Sequence, residues 1–148
     1  MTERARVFID TSALFAGIWS ASGGARMILK LGEAEAIQIV VSPHVLKEAE
    51  TVLRRKAEEA LPDLAALLDR CRVLVGPPAK TRILKRSRTL TTHLGDARIL
   101  AEAWFSGVDF FVTLDRRHFL DNDALQAAAP FRLGTPGQFL AWFREKIG

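Results

Sequence analysis

Apolar positions along the chain form two alternating patterns. Short runs rich in Val, Ile, Leu and Phe predict strands buried on both faces, as in a parallel sheet. Longer stretches carry apolar residues three and four positions apart, which predicts amphipathic helices. The predicted strands cover residues 6–10, 37–41, 73–75, 110–114 and 131–133. Because strands and helices alternate without repeats or low-complexity linkers, we expect a single α/β domain over 1–148 with a mainly parallel sheet flanked by helices.

Several helix boundaries are marked by residues that suit them. A Ser-Pro pair at 42–43 and a Thr-Pro pair at 135–136 each combine a capping hydroxyl with a proline in the first turn. A strongly periodic helix is predicted from Gly95 to residue 106, and Gly107 ends it directly before the fourth strand. A further helix over 80–90 is predicted to be strongly basic.

Two of the predicted strands end on an aspartate. Asp10 follows the first strand, and Asp115 follows the fourth. Sites in open parallel sheets form at the carboxyl ends of the strands, so both acids are candidates for one polyanionic pocket that holds a divalent metal ion. Carboxylates clustered in this way repel each other, and at least one is expected to have a raised pKa without metal. The alternative for each aspartate is that it opens a turn or caps the next helix.

Asp96 opens the periodic helix and points along its apolar stripe. Arg98 and Glu102 are predicted on the opposite, solvent-facing side. Asp96 is therefore a third candidate for the pocket, with a helix cap or a first-turn acid as the alternative. The stripe consists of Ile99, Leu100, Ala103 and Trp104.

The helix after residue 42 offers two more acids. Glu48 and Glu50 flank its apolar stripe on opposite edges. The periodicity does not choose between them, and either one fits a solvated surface acid equally well.

Composition adds a few limits. The 148 residues are 49% hydrophobic and 26% charged, which suits a globular domain with a sizeable core. The sequence shows no secretory signal and no apolar stretch near the roughly 20 residues of a membrane span, so a cytoplasmic protein without membrane association is expected. Cys71 is the only cysteine, and it is expected to be a buried thiol.

The formal net charge is +4, a mild bias towards polyanionic partners. Basic residues cluster at 54–56 and, without interspersed acids, in the helix over 80–90. Solvated helix faces are the alternative to phosphate contacts. The candidate RNA contacts are Lys80, Arg82, Lys85, Arg86 and Arg88.

The histidines and tryptophans give little further evidence of function in the sequence alone. The three histidines have no zinc-binding spacing, and His118 is expected to pack or hydrogen-bond rather than to catalyse. The tryptophans lie in apolar patterns, so core or interface positions are expected for Trp19, Trp104 and Trp142.

Four short motifs, in order along nearly the whole chain, resemble those of PIN-domain ribonucleases. Many such proteins are the toxin half of prokaryotic toxin–antitoxin pairs. The resemblance implies a three-layer α/β/α sandwich and a Mg²⁺- or Mn²⁺-dependent endoribonuclease. The motifs are Ile9-Asp10-Thr-Ser-Ala-Leu14, Ser42-x-x-Val45-Leu46-x-Glu48, Gly95-Asp96-Ala-x-Ile99-Leu100-Ala-x-Ala103 and Val112-Thr113-x-Asp115-x-x-His118-Phe119.

The resemblance also implies roles for individual residues. It favours Glu48 over Glu50, and Ser12 and Thr113 fall where relatives place a supporting hydroxyl. A further acid that some relatives carry just before the third motif is absent, which favours one metal ion over two. A cognate antitoxin and a homodimer are implied as partners. The implied catalytic and metal-binding acids are Asp10, Glu48, Asp96 and Asp115.

Metal-assisted hydrolysis of RNA that leaves a 5′-phosphate is the resulting hypothesis. One alternative is a catalytically silent RNA-binding or interaction module on the same fold, which does not need all four acids. The other is a metal-dependent phosphatase of a different α/β fold, which wants an Asp-x-Asp after the first strand. This chain has Asp10-Thr11-Ser12 there.

Overall fold

A five-stranded parallel sheet forms the centre of the molecule. The computed structural model describes residues 3–148, so the first two residues of the predicted domain lie outside the described residues. The strand order is β3-β2-β1-β4-β5, and every neighbouring pair is parallel. The strands are β1 (Ala5–Ile9), β2 (Ile37–Val41), β3 (Leu74–Val75), β4 (Phe110–Val112) and β5 (Arg132–Gly134).

Helices connect the strands and cover the sheet, which confirms the predicted α/β/α sandwich with a mainly parallel sheet. A π-helical turn over Arg116–Leu120 follows β4, and a single 3-10 turn over Glu58–Ala60 precedes α4. The α-helices are α1 (Thr11–Trp19), α2 (Gly24–Glu33), α3 (Pro43–Lys56), α4 (Leu61–Arg70), α5 (Thr81–Arg88), α6 (Leu94–Phe105), α7 (Asp123–Ala128) and α8 (Pro136–Ile147).

The core follows from the apolar runs. Phe8 in β1 and Phe111 in β4 are fully buried, and their rings stack with centroids 5.0 Å apart. Cys71 is buried among apolar side chains, which confirms the structural thiol. The predicted caps are also present: the Ser42 and Thr135 side chains accept hydrogen bonds from the first turns of α3 and α8.

The topology brings the ends of β1 and β4 together. β1 pairs with β2 on one side and with β4 on the other, and its last residue, Ile9, is in register with Val112. The Asp10 amide continues this pairing by donating to the Val112 carbonyl at 3.2 Å. The order of the strands therefore reverses at β1, and a crevice opens between neighbouring carboxyl ends at such a point.

One sequence prediction is wrong. Glu102 does not face solvent but is only 3% exposed, because α3 packs on that side of α6 and the backbone amide of His44 donates to its carboxylate at 3.2 Å. Of the core or interface positions predicted for Trp19, the structure excludes the core: Trp19 is 59% exposed and stacks on Phe15. The strand boundaries differ by one or two residues, and β4 ends at Val112 because the chain turns before Asp115.

Candidate metal centre

Asp10 lies between β1, which ends at Ile9, and α1, which begins at Thr11. Its Oδ1 accepts hydrogen bonds from the Ala13 amide at 3.0 Å and from Ser12 Oγ at 2.7 Å. Its Oδ2 accepts one from Thr113 Oγ1 at 2.5 Å. Asp10 thus caps α1, which was the alternative to a site role in the sequence analysis. The same hydrogen bonds also hold its carboxylate in one orientation at the crevice.

Two hydroxyl groups tie the ends of β1 and β4 together. Thr113 Oγ1 donates to Asp10 and also accepts from the Asp115 amide at 3.0 Å. Ser12 Oγ accepts from the Leu114 amide at 3.0 Å in the same way. The two residues predicted as supporting hydroxyls therefore fix Asp10 and set the path of the chain towards Asp115.

Asp115 begins the π-helical turn after β4. Its Oδ1 accepts from the His118 amide, and its Oδ2 lies 3.0 Å from His118 Nδ1. The side chain is about one-third exposed, towards the same crevice. Asp115 therefore caps its turn and presents one oxygen together with an imidazole nitrogen.

Asp96 lies in the first turn of α6, and the cap of that helix is His93 rather than Asp96. The Oδ2 atom of Asp96 is enclosed and has no hydrogen-bond partner among the described residues. Two imidazole nitrogens, Nδ1 of His93 and Nδ1 of His118, lie 3.4 and 3.5 Å from this oxygen. An ionised carboxylate oxygen that is buried without a hydrogen-bond partner is costly, and a cation bound beside it would lower that cost.

Glu48 approaches the crevice from α3. Thr11 Oγ1 donates to its Oε1 at 2.6 Å, and His44 Nε2 lies 3.7 Å from its Oε2. Glu50, the alternative left open by the periodicity, is exposed and does not line the crevice.

All four of the acids proposed from the sequence line a single cleft of about 500 Å³. Among residues 3–148, no Lys or Arg nitrogen comes within 4.0 Å of any of these four carboxylates. Lys47 lines the cleft but does not pair with an acid. The cleft therefore concentrates negative charge that no Lys or Arg pairs with directly.

Burial dominates the electrostatics of the cleft. Desolvation raises the pKa of Asp10 from its ordinary 3.8 to about 6, although hydrogen bonds from Thr113, Ala13 and Ser12 oppose the shift. Desolvation also raises the pKa of Asp96, against the attraction of two histidines. The expected upward direction is confirmed, but repulsion between the acids is only the smaller cause.

These residues fit a divalent cation. Carboxylate oxygens are the preferred ligands of Mg²⁺ and Mn²⁺, and six ligands at about 2.1 Å from an ion have neighbours about 3 Å apart. One ligand atom each from Asp96, Asp115 and His118 can be chosen so that all lie within 4.8 Å of one another. A cation there would also supply the partner that Asp96 Oδ2 lacks.

Sequence comparison assigns the family. The sequence profile of the PIN domain matches residues 6–117, which include β1 to β4 and all four acids. The chain belongs to the PIN domain family. No curated protein sequence matches it.

Solved structures agree on the PIN fold. Rickettsia felis VapBC2, bound to a promoter DNA fragment, matches with a TM-score of 0.66 and 18% identity over 86% of this chain and 96% of that chain. Mycobacterium tuberculosis VapC20, a sarcin–ricin loop cleaving toxin, gives 0.54 and 20% over 83% and 95%. Pyrobaculum aerophilum PAE2754 gives 0.54 and 20% over 95% and 90%.

Two side chains of the PIN cleft were not singled out by the sequence. Thr11 is next to Asp10 in the first motif, and its contact with α3 has no signal in the sequence. Lys47 precedes Glu48 and reaches the cleft from α3. The hydrogen bond expected of His118 is present, because its Nδ1 lies 3.0 Å from Asp115 Oδ2, and the same atom also lies near Asp96.

The basic residues proposed for RNA binding lie apart from the acids. All five are exposed on α5 or at its cap, and none of them lines the cleft. Helix α5 packs against α6, the helix that carries Asp96. Their RNA role stays a prediction.

Across the described residues 3–148, every helix is too short or too polar to cross a bilayer.

Proposed function

We propose that this PIN domain is a divalent-metal-dependent endoribonuclease. The observation that carries the proposal is the enclosed, unpartnered Oδ2 of Asp96 in a cleft lined by three other carboxylates. A protein does not gain stability from such an arrangement, because buried like charges destabilise the folded state. Their occurrence in a PIN domain is explained if a cation occupies the cleft during function.

The acids that would hold the cation are Asp10, Glu48, Asp96 and Asp115. When bound, Mg²⁺ or Mn²⁺ supplies Lewis-acid polarisation of the phosphodiester and lowers the pKa of a coordinated water. We propose that the products carry a 5′-phosphate, and that one ion is sufficient for this site.

The side chains of the protein position the reactants. Ser12 and Thr113 fix the carboxylate of Asp10, and Thr11 fixes that of Glu48. Lys47 is the cation of the cleft lining, which suits it to contact a phosphate of the substrate. The exposed basic face of α5 would attract the flanking RNA backbone.

We further propose that the protein is the toxin of a toxin–antitoxin pair. Similarity in fold to VapC20, described as a toxin that cleaves the sarcin–ricin loop, supports this assignment. A cognate antitoxin and a homodimer remain proposed partners. Co-purification with the product of an adjacent small reading frame, together with loss of growth inhibition when both are expressed, would test the pairing.

Chelation should abolish the activity. Incubation of the purified protein with labelled RNA is expected to give products with 5′-phosphate ends in Mg²⁺ or Mn²⁺, and none in excess EDTA. Adding the metal back should restore cleavage, which excludes damage by the chelator. Cleavage that continues undiminished in EDTA would contradict the proposed chemistry.

Replacing Thr11 by Val should weaken cleavage about 10- to 100-fold. The substitution preserves shape but removes the hydroxyl that donates to Glu48 Oε1, and a hydrogen bond to a charged group contributes about 1.5–3 kcal/mol. The measurement is kcat/KM on a fixed RNA substrate. Thr51→Val is the matched control, because Thr51 lines the same cleft but donates to a backbone carbonyl of α3. Equal effects of the two substitutions would refute a specific role for Thr11.

A further inference from the structure

We infer that His118 is a direct ligand of the metal ion, through Nδ1, and that it shifts the preference of this site from Mg²⁺ towards Mn²⁺ and similar transition metals. The inference rests on the proposed metal site and extends it by one nitrogen ligand. It also goes beyond the sequence-based expectation that His118 packs or forms a hydrogen bond near the site.

The position of Nδ1 is that of a ligand. It lies 3.0 Å from Asp115 Oδ2 and 3.5 Å from Asp96 Oδ2. Neighbouring ligands on a six-coordinate ion with bonds of about 2.1 Å are about 3 Å apart. The three atoms belong to two segments of the protein that meet at the cleft: the start of α6, which carries Asp96, and the π-helical turn, which carries Asp115 at its cap and His118.

A hydrogen bond alone does not explain this arrangement. An N–H on Nδ1 can serve Asp115 Oδ2, but it leaves Asp96 Oδ2 without a partner, as the structure shows. A cation among the three atoms would satisfy both oxygens and the nitrogen lone pair together. Coordination uses the neutral imidazole with its hydrogen on Nε2.

The neighbouring histidine is already engaged. Nδ1 of His93 accepts the Asp96 amide at 3.3 Å and so caps α6. Its lone pair on that atom is therefore used, although its distance from Asp96 Oδ2 is almost the same as that of His118. The centroids of the two rings are 5.6 Å apart. A variant of His93 therefore tests whether any imidazole near Asp96 has the same effect as His118.

The turn holds His118 rigidly. Asp115 Oδ1 accepts the His118 amide at 3.0 Å, and the next residue, Phe119, is buried against Phe111 in the core. The imidazole therefore needs little ordering when an ion binds. Preorganised ligands of this kind increase affinity because less conformational entropy is lost.

The donor set decides which ion is preferred. Mg²⁺ is a hard cation that favours oxygen ligands and retains its waters, whereas imidazole binds the later first-row metals more strongly. The two carboxylates of Asp96 and Asp115 with one imidazole therefore suit Mn²⁺, Co²⁺ or Zn²⁺ better than carboxylates alone would.

The test measures metal binding without RNA. Titration calorimetry with Mg²⁺, Mn²⁺ and Co²⁺ is compared for the full chain, His118→Ala, His118→Asn and His93→Asn. Asn at 118 offers an amide nitrogen that cannot ligate and an Oδ1 that can, so this variant tests the nitrogen signal, and His118→Ala tests the loss of a ligand. Asn at 93 removes the imidazole and still caps α6. Electron spin-echo spectroscopy of bound Mn²⁺ reports directly coordinated ¹⁴N.

We expect His118→Ala to lose affinity for Mn²⁺ and Co²⁺ on the order of 10- to 100-fold, with a much smaller change for Mg²⁺. The ¹⁴N signal should be present in the unmodified protein and in His93→Asn, and absent in both His118 variants. Normal Mn²⁺ affinity in His118→Ala, or a signal lost with His93 instead, would overturn the assignment.

The two proposals fail differently. If the unmodified protein binds no divalent ion, the proposed metal site itself is wrong. If it binds Mn²⁺ without a ¹⁴N signal, and Asp96→Asn abolishes binding, the carboxylate site stands and His118 is only a positioning residue.

Discussion

Replacing Asp96 by Asn is expected to reduce metal-dependent RNA cleavage on the order of 10³-fold. Charge stabilisation by a catalytic metal contributes several kcal/mol, and each 1.36 kcal/mol corresponds to a factor of ten in rate. Asp96 carries the enclosed oxygen that lacks any partner among the described residues, so its loss should affect the ion most directly. Mn²⁺ affinity measured by calorimetry should fall together with kcat.

The loss should not come from unfolding. Burial raises the pKa of Asp96, which means that its ionised form is disfavoured in the metal-free folded state. A neutral amide of the same shape removes that unfavourable charge. The thermal midpoint of the metal-free variant should therefore be no lower than that of the unmodified protein.

Asp123→Asn is the matched control for this experiment. Asp123 also lies in the first turn of a helix, α7, but it is exposed and outside the cleft. Like Asp96→Asn, this substitution removes a carboxylate from the first turn of a helix, so any effect through the helix dipole is matched. Full activity of Asp123→Asn beside a strong loss in Asp96→Asn would assign the effect to the cleft. Nearly unchanged cleavage by Asp96→Asn would contradict the proposed role.

The sheet was predictable from the sequence because its central strands, β1, β2 and β4, are largely buried on both faces. Runs such as those of β1 and β4 are apolar at almost every position, and this pattern has few structural alternatives. Their order in the sheet was not predictable from pattern alone. Glu102 shows what a helical wheel cannot predict. The wheel separates the polar face of α6 from its apolar face, but it does not show that α3 covers part of the polar face.

The candidate site was predictable to different degrees. Asp10 and Asp115 stand out because each follows a strand, and parallel strands place such residues at one edge of the sheet. Glu48 could be separated from Glu50 only through the resemblance to PIN domains. The contact of Thr11 with Glu48 and the approach of His118 to Asp96 each join segments that are far apart in the sequence. The local spacing of residues does not show that such segments meet.

Asp10→Asn is expected to stabilise the metal-free protein at pH 8 and to lose that advantage at pH 4. Desolvation raises the pKa of Asp10 to about 6, so in the folded state its carboxyl holds a proton that the unfolded chain gives up near pH 4. Between these values the folded state binds more protons, and stability falls as pH rises. Above pH 6 the ionised, 4% exposed carboxylate costs about 3 kcal/mol.

The Asn side chain at position 10 removes the cost of burying an ionised carboxylate, but it also loses one hydrogen bond. Asp10 accepts hydrogen bonds on both oxygens, and an amide NH₂ cannot accept the one from Thr113. A lost hydrogen bond of this kind costs about 1 kcal/mol. The net gain at pH 8 is therefore about 2 kcal/mol, and at pH 4 the variant should be slightly less stable than the unmodified protein.

Thermal unfolding in EDTA at the two pH values measures the effect. For a chain of this size, 2 kcal/mol corresponds to about 4–8 °C in the midpoint at pH 8. Asp123→Asn again reports the effect of removing an exposed carboxylate. A constant difference between Asp10→Asn and the unmodified protein at both pH values would show that burial does not keep this carboxyl protonated. With saturating Mn²⁺ the order at pH 8 should reverse, because only the aspartate gains stability from the ion.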